Sequence, residues 1–112
     1  MSALVSVRVL AASGSCLWCA VAGSLTRTTN TQLRDLLTAT CAGATVVALD
    51  LRQLKPVGHE TTLTMPLPDG PDIVHLLAPE NLRLRQPATE DSRVRWHSEL
   101  STAWRAWSAS CA

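Results

Sequence analysis

Polar and apolar positions alternate at the start of the chain. Valines at every second position of residues 4–10 are separated by Ser6 and Arg8, which is the period-two pattern of a half-buried β-strand. Residues 12–15, Ala-Ser-Gly-Ser, have the composition of a tight turn, and residues 16–22 are apolar enough to form a second strand. The pattern therefore predicts an opening hairpin.

The next segment has the spacing of an amphipathic helix. Leu33, Leu36, Leu37 and Cys41 recur at intervals of three and four residues, which places them on one helical face. Gly43 is suited to the turn that ends such a helix. We expect the three leucines to pack together beneath a sheet.

A nearly continuous apolar run comes after this helix. Residues 45–51, Thr-Val-Val-Ala-Leu-Asp-Leu, have the length and composition of a central strand that is buried on both faces. Asp50, which we expect to end this strand, is predicted to have a structural role. Residues 52–71 contain four of the six prolines, so no long helix is predicted there.

The closing third of the chain is predicted to hold two short strands and two helices. The strands are expected over residues 73–78 and 93–96, with a short helix over residues 80–86 between them. A last helix follows, whose apolar side holds Leu100, Ala103, Trp104 and Trp107, and we expect Trp104 to complete the core.

The order of elements predicts one small α/β domain over residues 1–112, with a mixed central β-sheet packed with helices. The composition is globular, with 46% hydrophobic and 17% charged residues. The net charge of +1 creates no field that would recruit nucleic acid or an anionic membrane, so we expect neither partner. The apolar run at residues 4–12 contains Arg8 and is too short to span a bilayer, which predicts a cytoplasmic protein with four reduced cysteines.

Several stretches of the chain occur in a recognisable order. Residues 21–26, Val-Ala-Gly-Ser-Leu-Thr, precede the first helix, and residues 46–51, Val-Val-Ala-Leu-Asp-Leu, form the predicted central strand. Residues 73–79 and 98–107 hold a closing strand and the last helix. Taken together, these stretches resemble the STAS domain of bacterial anti-sigma-factor antagonists.

The resemblance implies a docking domain that has no catalytic residues and no cofactor. Members of this family bind an anti-sigma factor with a kinase-like fold and thereby free its sigma factor for transcription. We therefore expect a protein partner, either an anti-sigma factor or a related regulator, and a role in transcription regulation through protein–protein interaction. A degenerate STAS fold that serves as a subunit of another regulatory complex, or binds a second copy of itself as a homodimer, is the alternative.

The expected contact surface is an exposed loop over residues 52–64, flanked by the first helix, and it departs from the family at the switch position. The family has an Asp-Ser-Ser-Gly-Leu type of loop, in which a partner kinase phosphorylates a Ser or Thr. Here His59 and Glu60 stand about where the serine pair would be, between Lys55 and the pair Thr61 and Thr62. We expect these five residues to contact the partner, with the two threonines as candidate phosphorylation sites. Since Glu60 places a permanent negative charge where a hydroxyl would be needed, we predict no kinase-driven switch.

Cys16 and Cys19 form a CxxC motif, which suggests a small redox or metal-handling protein as another alternative. Redox pairs of this kind begin a helix, where the dipole lowers the thiol pKa, whereas this pair falls in a predicted strand. Side chains three positions apart in a strand point to opposite faces. A zinc site also needs further ligands, but Cys41 and Cys111 are single and distant. We therefore predict buried, unreactive thiols and no metal.

The three histidines, His59, His75 and His97, share no close spacing with one another or with a carboxylate–serine arrangement. His75 lies in an apolar strand, where a hydrogen-bonded histidine of the core or the sheet edge is commoner than a catalyst. The five glycines are isolated, which excludes a phosphate-binding loop. The sequence thus predicts no catalytic residue.

Overall fold

Five strands and two helices make up the described part of the chain, which covers residues 5–56, 66–78 and 92–111 of a computed structural model. In chain order they are β1 (Val5–Ser13), β2 (Cys16–Leu25), α1 (Arg27–Thr40), β3 (Val46–Pro56), β4 (Ile73–Leu77), β5 (Val94–His97) and α2 (Leu100–Ser110). The sequence predicts all seven, although several bounds differ. The helix predicted over residues 80–86 lies outside the described residues.

The strands form one mixed sheet in the order β1-β2-β3-β4-β5. β1 and β2 are the antiparallel hairpin, whereas the other three neighbouring pairs are parallel. β3 is therefore the central strand, and its residues from Val46 to Leu51 are all buried. This confirms a small α/β domain with a mixed central sheet.

β3 continues five residues beyond the predicted run. It keeps pairing in parallel with the long strand β2, so that Lys55 lies opposite Ser24. Lys55 is thus a strand residue, and its prediction as part of a loop is wrong. The ladder partners that β2 supplies cannot be seen from the proline-rich composition of residues 52–71.

The two helices cover opposite faces of the sheet. α1 contacts β1 and β2, whereas α2 contacts β3, β4 and β5. The first core lies on the α1 face and includes Cys19, Val21, Leu33, Leu37, Cys41, Val47, Leu49, Leu51, Leu54, Val74 and Leu76. The second core lies on the α2 face and consists of Cys16, Trp18, Val46, Ala48, Leu77, Ala103 and Trp107.

A reciprocal cap begins α1 at the end of β2. Thr26 Oγ1 accepts a hydrogen bond from the backbone N–H of Thr29 at 3.1 Å, and Thr29 Oγ1 accepts one from the N–H of Thr26 at 2.8 Å. The Thr29 hydroxyl in turn donates to the carbonyl oxygen of Ser24 at 2.7 Å. Such a capping box satisfies two of the free N–H groups of the first turn and stabilises the helix by about 1 kcal/mol.

The buried stripe of α1 is narrower than predicted. Thr29, Leu33, Leu37 and Cys41 follow one another at intervals of four residues, and all four are buried. Leu36 lies about 100° around the helix from Leu37 and is 40% exposed. The expectation that Leu36 packs beneath the sheet is therefore wrong.

Trp104 of α2 does not complete the core, so its predicted role is wrong. Trp107 is buried in the second core, whereas Trp104 is 47% exposed. Ala103 and Trp107, four positions apart, define the buried side of the helix. The small side chain of Ala103 lets α2 approach the sheet on this side, which leaves Trp104 at the edge of the contact.

The adjacent leucines of α1 provide a matched test of this packing. We expect Leu37→Ala to lower the free energy of unfolding by about 2–5 kcal/mol, since it opens a cavity in the first core. Leu36→Ala should lower it by less than about 0.5 kcal/mol, as is usual for a surface position. Urea unfolding of the two variants measures both values. Equal losses would mean that α1 is rotated relative to the sheet.

Candidate functional site

The register of the sheet arranges the side chains of the α2 face in rows. Residues directly opposite each other on neighbouring strands share a face of the sheet. One row holds Trp18, Ala48, His75 and Arg95, and the next holds Arg8, Ala20, Asp50, Leu77 and His97. The polar groups of these two rows, together with α2, form the candidate site.

Two histidines and a serine form a hydrogen-bonded chain between the sheet and α2. His75 Nδ1 lies 3.0 Å from His97 Nε2, and His75 Nε2 lies 3.0 Å from Ser110 Oγ. His75 is 3% exposed, and these bonds confirm the expectation of a hydrogen-bonded histidine in the core. Sequence spacing could not reveal the chain, because pairing of β4 with β5 and packing of α2 join residues 22 and 35 positions apart.

The serine fixes the direction of the protons in this chain. The hydroxyl of Ser110 donates to the carbonyl oxygen of Ala106 at 2.8 Å, and a carbonyl oxygen can only accept. The Nε2–H of neutral His75 must therefore donate to Ser110 Oγ, and its Nδ1 must accept from the Nε2–H of His97. A nucleophilic serine needs the reverse arrangement, in which the histidine accepts the hydroxyl proton. The chain is thus built as a structural support and not as an activated serine.

Burial keeps both histidines neutral. Desolvation, with the nearby His97 and Arg95, lowers the pKa of His75 to about 4. Desolvation also lowers the pKa of His97. Protonation of His75 would place a hydrogen on Nδ1, which already accepts the hydrogen bond from His97. A protonated His75 would therefore lose its hydrogen bond from His97 and would place a positive charge in a buried position.

Because the pKa of His75 is lowered in the folded protein, the free energy of unfolding depends on pH. The unfolded chain binds the proton near the ordinary histidine pKa of 6.5, whereas the folded chain binds it near 4. We expect neutral His75 to make its full contribution to the free energy of unfolding above pH 6.5. This contribution, on the order of 3 kcal/mol, should be lost as the pH falls toward 4.

Urea unfolding at a series of pH values measures this effect, with His75→Gln as the comparison. The glutamine variant retains hydrogen-bonding groups but does not titrate, so its stability should change much less over this pH range. Identical pH profiles for the two proteins would contradict a buried, neutral His75.

Asp50 forms a bidentate ion pair with Arg52 on the same strand. Arg52 Nε lies 2.9 Å from Oδ1 and Arg52 Nη2 lies 2.7 Å from Oδ2, while the backbone N–H of Arg52 donates to Oδ1 at 3.0 Å. The carboxylate is nearly buried, whereas the guanidinium is half exposed. Hydrogen bonding to Asp50 raises the pKa of Arg52. Asp50 thus has a structural role, but it lies within β3 and not at the end of the strand.

Three indole rings and a disulfide fasten α2 to β2. The Trp18 ring lies 5.2 Å from that of Trp104 and 5.7 Å from that of Trp107, and the latter two lie 5.1 Å apart, all measured between centroids. Cys111, directly after α2, is disulfide-bonded to Cys16, with 6.0 Å between their Cα atoms. Each aromatic pair adds about 0.5–1.5 kcal/mol beyond the burial of its area.

The disulfide corrects the prediction of four reduced cysteines. That prediction rested on the expected compartment, and the separation of 95 positions between Cys16 and Cys111 gave no sign of their proximity. Their Cα–Cα distance lies within the range that a disulfide requires. The remaining two cysteines, Cys19 and Cys41, are free and buried.

The two cysteines of the CxxC motif face opposite sides of the sheet, as predicted. Cys16 belongs to the second core and Cys19 to the first. A hydrogen bond to Cys41, together with burial, raises the pKa of Cys19. A thiol that stays protonated is a poor nucleophile and a poor metal ligand. Within residues 5–56, 66–78 and 92–111, no group of three His, Cys, Asp or Glu residues could hold a metal ion.

The thiols provide a direct test of these assignments. When the protein is denatured without reductant, we expect two thiols to react with a thiol reagent. In the native protein neither should react rapidly, because Cys19 and Cys41 are buried. Reduction should lower the free energy of unfolding by about 3–5 kcal/mol, since the disulfide closes a long loop in the unfolded chain. Mass spectrometry after alkylation identifies the modified cysteines. Four thiols in the oxidised sample would contradict the pairing.

Only one of the five residues predicted to contact a partner lies in the described part of the chain. Lys55 is exposed on β3, and because Leu54 points into the first core, Lys55 points to the α2 face. The expectation that α1 flanks this surface is therefore wrong for Lys55. The other four, His59, Glu60, Thr61 and Thr62, lie outside the described residues.

A small pocket lies at the turn of the hairpin, between β1 and β2. It has a volume of about 150 Å³ and is lined by Gly14, Ser15, Leu17, Ala42, Gly43 and Ala44. None of these side chains is titratable, so the lining provides no acid, base or metal ligand. In the part of the chain that the structure describes, no helix is long and apolar enough to cross a membrane.

Comparisons with known proteins do not place the chain in a family. No protein-family model, no curated protein and no solved structure matches it. The resemblance to the STAS domain therefore rests on the sequence stretches alone.

Proposed function

We propose that this protein is a non-catalytic protein–protein interaction domain of the anti-sigma-factor-antagonist type. It binds an anti-sigma factor or a related regulator in the cytoplasm and so acts on transcription. In this proposal Thr61 and Thr62 are the candidate phosphorylation sites, and no kinase-driven switch operates. Because cytosolic thiols are usually kept reduced, we expect the Cys16–Cys111 disulfide to form in the cytoplasm only when conditions there become oxidising.

The exposure of Trp104 is the observation that supports this proposal best. Its ring is 47% exposed although it contacts the rings of Trp18 and Trp107, which are both buried. Leu100, one helical turn earlier, is also exposed. A tryptophan held in one position by its neighbours loses little conformational freedom when a partner covers it, and such residues dominate the energy of many interfaces.

The hydrogen-bonded chain beneath α2 supports the non-catalytic part of the proposal. His75 donates to Ser110 and cannot act as its base in this arrangement. His75 is also 3% exposed, so that a substrate would have no direct access to it. These groups stabilise α2, which carries Trp104.

Trp104 can be tested against an exposed apolar residue on the opposite side of the molecule. We expect Trp104→Ala to weaken binding of a sigma-factor regulator by about thirtyfold, which corresponds to the loss of about 2 kcal/mol at an interface hot spot. Leu36→Ala, on the outer side of α1, should bind as the unsubstituted protein does. Affinity capture from the source cell, with identification by mass spectrometry and titration of the purified partner, measures the effect.

Two outcomes would contradict the proposal. Capture of subunits unrelated to sigma factors would favour the alternative of a degenerate domain in another regulatory complex. A concentration-dependent dimer in sedimentation that is abolished by Trp104→Ala would assign the exposed indole to a homodimer.

A further inference from the structure

The α2 face of the sheet is only partly covered by α2. The helix contacts β3, β4 and β5, and its tryptophans reach as far as Trp18 of β2. Beyond Trp18 on the same face of β2 come Ala20 and Ala22, which are half-buried. In the described part of the chain these two small side chains, the floor, continue the row along β2 from Trp18, whose ring contacts that of Trp104.

Cationic side chains surround this floor. Arg8 of β1 lies directly opposite Ala20, and Lys55 of β3 lies opposite Ser24, the next residue of β2 on this face after Ala22. Arg52 reaches the same face, because its guanidinium binds Asp50 there. Arg8, Arg52 and Lys55 are all exposed. These three cations outnumber the buried carboxylate of Asp50, so the four residues together carry a positive net charge.

We propose that this surface, the basic shelf, binds an acidic peptide segment that carries an apolar anchor residue. The basic shelf consists of the floor Ala20 and Ala22, the cations Arg8, Arg52 and Lys55, and the wall Trp104. The anchor packs against the Trp104 ring over the floor, while carboxylates of the segment pair with Arg8 and Lys55. The small floor residues allow a main chain to approach the sheet closely. This inference rests on the proposed function and adds the chemistry of the partner.

The same chemistry distinguishes a peptide from a nucleic acid. Single strands of nucleic acid stack successive bases on several aromatic rings and are held by many phosphate contacts. Within the described residues Trp104 is the one exposed tryptophan, at 47%, and Arg52 is already paired with Asp50. One ring and two unpaired cations suit a short acidic segment better than a polynucleotide.

A random phage-displayed dodecapeptide library, panned on the full chain, tests the basic shelf. We expect the enriched peptides to combine several Asp or Glu residues with one large apolar residue. Their affinity, measured by fluorescence anisotropy, should fall by about tenfold or more in the double variant Arg8→Glu, Lys55→Glu, because reversed charges repel the carboxylates. The neutral double variant Arg8→Gln, Lys55→Gln should lose less, and added salt should weaken binding to the unsubstituted protein.

Arg34→Glu is the matched control. Arg34 is an exposed cation of α1, on the other face of the sheet, and its guanidinium lies 4.0 Å from the exposed carboxylate of Asp69. Its reversal changes the net charge equally per site without touching the basic shelf. Equal losses for this control, enriched peptides without acidic residues, or no enrichment at all would each overturn the inference. Tighter binding of an oligothymidylate than of the acidic peptides would assign the shelf to nucleic acid. If Trp104→Ala abolishes regulator binding while the charge reversals do not, the proposed function stands and this inference fails.

Discussion

The attachment of α2 to the sheet is the constraint on which the other features of this protein depend. The helix is held at its end by the Cys16–Cys111 disulfide and along its length by Trp107 and Ala103 in the second core. Its position buries His75, brings Ser110 to that histidine, and leaves Trp104 at the margin. A rotation of α2 about its axis would break all three arrangements together. The candidate site is therefore a property of one helix–sheet contact.

The polar chain beneath α2 shows how a buried histidine can be accommodated without chemistry. An unpaired polar group in this position would cost about 1–3 kcal/mol. His75 avoids that cost because one ring nitrogen donates to Ser110 and the other accepts from His97. The arrangement also restricts α2, since sliding the helix would separate Ser110 from its partner. Specific hydrogen bonds thus complement the less directional packing of the indoles.

The fold was predictable from the sequence because its signals are local. Alternation in β1, the apolar run of β3 and the leucine spacing of α1 each lie within a window of a few residues. The rotation of each helix was less predictable. In α1 an apolar residue such as Leu36 fits the helical pattern, and only packing against β1 and β2 selects the line through Leu33 and Leu37. In α2 the sequence spacing suits burial of either Trp104 or Trp107, and only packing against the sheet selects Trp107.

The site itself depends on contacts between distant parts of the chain, which no local pattern reports. The part of the α2 face that α2 leaves uncovered follows from the composition of β1 and β2. There, residues such as Ser6, Arg8 and Ala22 are too small or too polar to offer a helix much apolar surface to bury. On the α1 face the same two strands present Val7 and Val21, and α1 packs there. The alternation that builds the first core therefore also places cations and small residues together on the opposite face. Within the described residues, a hairpin with one apolar and one polar face is therefore covered by a helix on its apolar face alone.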